Sequence, residues 1–153
     1  MTNEVRNFLV AIAAIFAIGC QRHFSSGHQV CFSNHCFDVE VVTSGKKMER
    51  GLQFRTSLAD KAGMLFAFPS EDRYVFWMKD TLIPLDMIWM DFSQRVVFMA
   101  ENVPPCKTDS CPVYTPTAKA LYVLEINAGT VKKLGLKIND MAVFKINDDG
   151  FIR

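Results

Sequence analysis

The sequence lacks any concentration of charge of one sign. Its 153 residues include 17 lysines and arginines against 16 aspartates and glutamates, a net charge of +1, with the cations scattered along the chain. Proteins that bind nucleic acid usually carry a basic patch or stripe that attracts the phosphate backbone. We therefore exclude nucleic acid as a partner of this chain.

Histidines and glycine-rich motifs are also scarce. The three histidines, His23, His28 and His35, all lie in the first quarter of the chain. A Ser-His-Asp arrangement, a Cys-His arrangement or a three-histidine metal site is therefore hard to build in the remainder. No Walker or dinucleotide-binding fingerprint occurs. These absences exclude most common hydrolase mechanisms, and we expect no cofactor.

The longest apolar run is too short to cross a membrane. It extends from Phe8 to Gly19, 12 residues, whereas a helix needs about 20 to cross a hydrocarbon core of roughly 30 Å. A short run after Arg6 is instead typical of a secretory signal peptide. The run ends in Ala-Ile-Gly-Cys20, which resembles the lipobox of bacterial lipoproteins. We predict a lipoprotein-type signal peptide over residues 1–20, with Cys20 as the acylated residue; ordinary cleavage near Gly19 is the alternative.

The residues after Cys20 indicate where the chain is delivered and where its domain begins. The residue after Cys20 is Gln21 and not an aspartate. By resemblance to the sorting rules of lipoproteins, this implies an outer-membrane lipoprotein that faces the periplasm. Acyl chains would supply the attachment to the membrane. Residues 21–30 are polar and without periodicity, so we predict a flexible tether followed by a single β-rich domain over residues 31–153. We expect a monomer.

Five cysteines are an odd number for an exported protein. Setting Cys20 aside leaves Cys31 with Cys36 and Cys106 with Cys111, two pairs with the same spacing. An oxidising compartment favours disulfides within each pair. Closing so short a ring contributes about 2 kcal/mol in the loop-entropy model. We predict these two local disulfides.

Two sets of residues could in principle bind a metal ion, and we expect neither to do so. Zinc ligands could come from the first cysteine pair and its neighbours, although their spacing matches no common pattern: His28, Cys31, His35 and Cys36. A soft metal such as copper could bind among side chains that on strands are more often part of a core: Trp77, Met78, Trp89 and Met90. We therefore expect no metal site.

Alternating and aromatic-rich segments between turn signals predict about seven strands. They are Phe37–Thr43, Met64–Phe68, Tyr74–Met78, Leu85–Asp91, Arg95–Asn102, Ala120–Ile126 and Met141–Ile146. Short helices are predicted over Lys46–Gln53 and Ala128–Leu134, the second stopped by Gly135 in a Schellman motif. Gly51 inside the first helix indicates close packing against a neighbour. No βαβ alternation occurs, so the class is mainly antiparallel β.

The densest apolar segment, Tyr74 to Met90, predicts a central hairpin that either is covered on both faces or has one face lining a pocket. Asp86 in this hairpin and Glu125 in a later strand are carboxylates among apolar residues. A buried charge needs partners, so both are candidates for a functional or structural role.

Five separated segments resemble, in order and spacing, the domain of unknown function 192 family. They are Arg50–Arg55, Gly63–Phe66, Phe76–Met87, Cys111–Pro112 and Val123–Gly129, and the resemblance covers about Phe37 to Phe144. The resemblance implies a compact β-sandwich or half-barrel, often behind a signal peptide or lipid anchor, and implies no established activity. The chain departs from the usual pattern at Asp80, where Asn is commoner, and at Asn139, where Gly is commoner.

The matching segments supply the candidate site residues, which are Arg50, Arg55, Trp77, Lys79, Asp86 and Glu125. Our prediction is a non-catalytic accessory module for a small ligand or an envelope protein, with Trp77 supplying contact area and the charges orienting a polar ligand. The alternative is a glycosidase-like hydrolase with Asp86 and Glu125 as general acid and base, within about 10 Å of each other. A structural network, in which an arginine satisfies a buried carboxylate, is the third possibility.

Overall fold

The computed structural model describes residues 27–146, which form nine strands and two short helices. In chain order the elements are β1 Gln29–Phe32, β2 His35–Val42, α1 Gly45–Arg50, β3 Ala62–Asp72, β4 Phe76–Trp77, β5 Leu85–Met90, β6 Val96–Val103, β7 Val113–Tyr114, β8 Ala120–Asn127, α2 Thr130–Leu134 and β9 Ala142–Lys145. The mainly β class with two short helices is confirmed, and of the two predicted architectures the chain adopts the half-barrel. The last two residues of the predicted tether belong to β1.

Seven strands form one curled sheet in the order β6-β5-β8-β3-β2-β1-β9. Every pairing is antiparallel except that of β2 with β3, because the crossover through α1 returns the chain in the same direction. The edge strands meet at one end: the Val96 N–H donates to the Asp140 carbonyl, and the Asn139 N–H donates to the Val96 carbonyl. These contacts explain a half-barrel rather than two stacked sheets.

The predicted central hairpin is wrong. β4 pairs with β7 in a separate two-stranded ribbon, and β5 lies inside the large sheet between β6 and β8. Between β4 and β5, Lys79 and Thr81 form bridges to Cys106 instead of a hairpin turn. All six residues of β5 are buried, and a strand with two apolar faces is best covered inside a larger sheet.

The core lies on both faces of the sheet. Since side chains alternate along a strand, Ile88 and Met90 of β5 pack on one face, and Met87 and Trp89 pack on the other. Side chains alternate in the same way in β8, the neighbour of β5. Glu125 of β8 lies opposite Met87 of β5, and Ile126 of β8 lies opposite Asp86 of β5. The register therefore places Asp86 and Glu125 on opposite faces of adjacent strands.

Both helices are shorter than predicted, and each ends at a glycine. Gly51, with φ of 49°, follows Arg50 and ends α1, while α2 begins at Thr130. The predicted Schellman motif is present after α2. Gly135 is left-handed, its N–H donates to the Lys132 carbonyl, and the Leu136 N–H donates to the Val131 carbonyl.

The two predicted disulfides are present. Cys31–Cys36 joins facing positions of β1 and β2, and Cys106–Cys111 closes a loop between β6 and β7. The zinc alternative is therefore wrong, since both of its thiolates are in a disulfide. Between residues 27 and 146 no three His, Cys, Asp or Glu side chains are grouped to hold a metal.

The predicted signal peptide over residues 1–20, Cys20 and most of the tether lie outside the described residues, as do residues 147–153. Within the described part, neither helix is long and apolar enough to cross a membrane.

Candidate functional site

A cavity of about 310 Å³ opens between α1 and the ribbon formed by β4 and β7. Five of its fourteen lining residues carry aromatic rings, and we call it the aromatic cavity; they are Phe66, Phe68, Tyr74, Phe76 and Trp77. The other lining residues are Met48, Glu49, Arg50, Gly51, Leu52, Gln53, Val75, Thr81 and Glu125. The alternation of β3 places Phe66 and Phe68 on the same face of the sheet. Trp77 is 51% exposed at the cavity, as its position in a short ribbon allows.

Contacts between rings fix the aromatic walls. Phe76 packs edge-on against Phe66, with ring centroids 4.9 Å apart, and Phe68 stacks on Tyr74. Phe76 also packs against the buried Trp89 at 5.5 Å. Such pairs add about 0.5–1.5 kcal/mol each beyond the area they bury, so the cavity is a formed feature of the fold.

Glu125 is the buried carboxyl of this cavity, which Glu49, Arg50, Gln53 and Thr81 also line. It lies in β8 with only 5% of its surface exposed, and its Oε2 has no hydrogen-bond partner. Burial raises its pKa from 4.5 to about 8, because the charged form loses its hydration, while the positive charge of Arg55 acts weakly in the opposite direction. At pH 7 the carboxyl is therefore mostly protonated and able to donate a hydrogen bond.

Gly51 brings the end of α1 close to this carboxyl. A Cβ at Gly51 would lie 3.1 Å from Phe66 Cζ and 3.7 Å from Glu125 Oε2, and its φ of 49° also favours glycine. The close packing predicted at Gly51 is therefore confirmed. Gly51, a residue that would destabilise the interior of a helix, here lets the backbone after α1 pass close to the buried Glu125 carboxyl.

A second cavity, of about 520 Å³, adjoins the first, and we call it the basic groove. Among its residues are Glu40, Lys47, Arg50, Phe54 and Arg55. Arg55 holds Glu40 through two hydrogen bonds of 2.5 and 2.7 Å, and this bonding raises the pKa of the guanidinium. The Arg50 guanidinium lies 5.8 Å from the centre of the Phe54 ring.

Asp86 lies outside both cavities and is satisfied by the backbone. It is completely buried, and its carboxylate accepts N–H groups from Asn102 and Val131, each at 2.8 Å. These bonds fix β6 and the first turn of α2. Because Asp86 and Glu125 point to opposite faces of the sheet, the carboxylate pair expected for a glycosidase-like hydrolase is not formed.

The six candidate residues are therefore divided by the structure. It brings together Arg50, Trp77 and Glu125 at the aromatic cavity and places Arg55 in the adjoining groove. Lys79 lines neither, because its Nζ lies 2.6 Å from Asp109 in the loop closed by Cys106 and Cys111. The structural network considered above, in which an arginine satisfies a buried carboxylate, is not formed at Glu125. Arg55 pairs instead with the partly exposed Glu40.

Sequence reasoning missed Phe68, Tyr74, Glu40 and Lys47. The alternation of Phe66 and Phe68 within an apolar run is the signal that could have placed two rings on one face. Nothing in the local sequence marks Glu40 as the partner of Arg55, since 15 residues separate them.

Solved structures of similar proteins have the same fold. A protein of unknown function from Novosphingobium aromaticivorans DSM 12444 is 34% identical, with a TM-score of 0.69 over 76% of this chain and 82% of that one. A "putative transcription regulator" from Sinorhizobium meliloti 1021 is 31% identical, with a TM-score of 0.69 over 76% of this chain and 91% of that one. No curated protein matches the chain significantly.

The profile of the DUF192 family, described as "Uncharacterized ACR", matches residues 28–144. This span contains all five segments that carried the resemblance, both cavities and both disulfides. The chain therefore belongs to the DUF192 family.

Proposed function

We propose that this domain is a non-catalytic binding module and that its ligand enters the aromatic cavity to meet Glu125. The observation that carries the proposal is the unpartnered Oε2 of a buried carboxyl beside an aromatic-walled cavity. An unsatisfied buried polar group costs about 1–3 kcal/mol, and a ligand atom within hydrogen-bonding distance would remove that cost. Ligand sites commonly combine apolar walls with a few such polar groups.

The protonation state of Glu125 limits the chemistry of the ligand. A neutral carboxyl donates a hydrogen bond, so the complementary atom is an acceptor such as a hydroxyl, ether or carbonyl oxygen. The surrounding rings favour a flat or ring-shaped apolar body. The ligand we propose therefore carries an oxygen acceptor on a ring.

We further propose that the module works in the bacterial envelope as a monomeric outer-membrane lipoprotein anchored through Cys20. Its support is the lipobox-like sequence together with two disulfides, which persist in oxidising compartments. The S. meliloti protein is described as a transcription regulator. For this chain a nucleic-acid-binding role has no support in a net charge of +1.

A fragment screen monitored by ¹H–¹⁵N NMR tests the binding proposal. Ring compounds with hydroxyl, ether or carbonyl groups should shift the Gly51 amide and the Trp77 indole signals. Met48→Trp should block the cavity and abolish these shifts, while Lys46→Trp, an exposed position on the same helix, should preserve them.

A second variant tests the role of the carboxyl. Glu125→Met keeps the length of the side chain and removes the donor, so binding should weaken about tenfold, the equivalent of one hydrogen bond. Fragments that bind Met48→Trp as well as wild type, or a screen in which no cavity signal moves, would contradict the proposed site.

A further inference from the structure

The basic groove lies directly beside the aromatic cavity. The two cavities share Arg50, Gly51 and Gln53 in their walls. Gly51 has no side chain to separate them. A ligand with its ring on the aromatic side would need only to pass Gly51 to place a substituent on the basic side.

The groove carries an excess of positive charge. Lys47, Arg50 and Arg55 face a single carboxylate, Glu40, and Arg55 already holds that carboxylate with both of its terminal nitrogens. The ion pairs within residues 27–146 are Arg55 with Glu40 and Lys79 with Asp109. Lys47 and Arg50 have no carboxylate partner in that part of the chain.

Lys47 and Arg50 are placed to act together. They are three residues apart on α1, a spacing that puts side chains on the same side of a helix. A guanidinium and an ammonium that share a concave wall can bind the oxygens of an anion through charge-assisted hydrogen bonds. The Phe54 ring under Arg50 supports the guanidinium without neutralising it.

We infer that the ligand bears an anionic group, a carboxylate or a phosphate, which lies in the basic groove against Lys47 and Arg50 while its ring fills the aromatic cavity. This inference rests on the proposed function and names the substituent opposite the ring. Two glutamates line the aromatic cavity, Glu49 and Glu125, and neither lines the groove in which the anion lies. Glu125 does not oppose the anion, because burial keeps its carboxyl mostly uncharged at pH 7.

Three probes with the same ring test the inference by NMR titration of the purified protein at pH 7. They are 3-(4-hydroxyphenyl)propionate, 4-hydroxyphenyl phosphate and the uncharged 3-(4-hydroxyphenyl)propanol, each with a ring hydroxyl as the acceptor for Glu125. We expect at least one anion to bind ten or more times more tightly than the alcohol, with the advantage reduced at high salt. The two anions distinguish a carboxylate from a phosphate.

Substitutions in the groove assign the advantage to its cations. Lys47→Met with Arg50→Met should reduce the affinity for the anion to that for the alcohol, and Lys46→Met should preserve the advantage, since Lys46 lines neither cavity. Thermal unfolding of each variant checks that it is folded.

The outcomes separate the inference from the proposed function. If the alcohol binds as tightly as both anions, the inference is overturned and the binding module stands. The inference is also overturned if the anion keeps its advantage after both groove cations are removed. If none of the three probes moves a signal of the aromatic cavity, the inference and the proposed site both fail.

Discussion

Glu125 lowers the stability of the fold at neutral pH because its carboxyl is buried without a partner for Oε2. Its pKa is about 8 in the folded protein and 4.5 as its ordinary value, so the unfolded chain releases a proton that the folded chain retains. Stability therefore falls as pH rises between these two values, by about 1.4 kcal/mol per pH unit, and below pH 4.5 no penalty remains.

Glu125→Gln should remove this pH dependence. Relative to that of wild type, the free energy of unfolding of the variant should rise by about 3 kcal/mol between pH 4.5 and pH 7, because glutamine does not titrate in either state. Urea unfolding at pH 4.5, 6, 7 and 8 measures the difference, and Glu101→Gln at an exposed position of β6 is the control. A difference between variant and wild type that stays constant with pH would mean that Glu125 is ionised in the folded protein.

Asp86 has the opposite role, that of a buried carboxylate whose bonds stabilise the fold. Asp86→Ala leaves the Val131 N–H buried and the Asn102 N–H partly buried, both unpaired, so we expect the free energy of unfolding to drop by about 3 kcal/mol. Asp91→Ala removes one bond to the Arg95 N–H in an exposed turn and should cost under about 1 kcal/mol. Chemical denaturation compares the two; equal losses would contradict the structural role of Asp86.

The sequence identified both buried carboxylates but could not assign their roles. Asp86 and Glu125 stand out as charges in apolar strands, and the need for a partner follows from the cost of burial. The partners of Asp86 are backbone N–H groups distant in the chain, which no side-chain pattern reveals. The family pattern did mark Asp80 and Asn139, and both have positive φ, of 55° and 76°, where Asn, Asp and Gly are favoured.

At the scale of elements, strands were predictable and their pairing was not. Each of the seven predicted strands overlaps one in the structure, because strands such as β2, β5 and β8 are long enough for apolar periodicity to be read. β1 and β7 were missed, since β7 has two residues and β1 lies in a polar stretch. The predicted hairpin failed because β4 finds its partner β7 more than 30 residues further along the chain, beyond the reach of local turn signals.

The loop closed by Cys106–Cys111 supports the exposed side of the aromatic cavity. Cys106 bridges to Lys79 and Thr81, Asp109 binds Lys79, and the chain then enters β7, the partner of the strand that carries Trp77. Cys106→Ser with Cys111→Ser should therefore cost about 2 kcal/mol and broaden or shift the Trp77 indole NMR signal. The buried Trp89 signal should change little.

Cys31→Ser with Cys36→Ser is the matched control, since this disulfide closes an equally short ring outside the aromatic cavity. It should cost a similar free energy and leave the Trp77 signal unchanged. A Trp77 signal that responds equally to both pairs of substitutions would show that the loop does not specifically hold the ribbon.

At the scale of the whole molecule, the centre of the sheet separates the two buried carboxyl groups. β5 and β8 are adjacent, and their register sends Asp86 to one face and Glu125 to the other. The face with Asp86 is packed and fully hydrogen-bonded at that carboxylate, whereas the face with Glu125 adjoins the cavity. The binding module that we propose would take up its ligand from the side of Glu125, and attachment to a membrane would determine which ligands reach that side.

We predict that this attachment depends on Cys20. Expressed as the full chain in a bacterium with an outer membrane, the wild type should incorporate radiolabelled palmitate and sediment with membranes, because acyl chains supply the membrane affinity. Cys20→Ser should lose the label and the membrane association, while Cys106→Ser with Cys111→Ser should keep both. A soluble, unlabelled wild-type protein cleaved near Gly19 would contradict the anchor and leave ordinary secretion, in which the same cavity would act free in the periplasm.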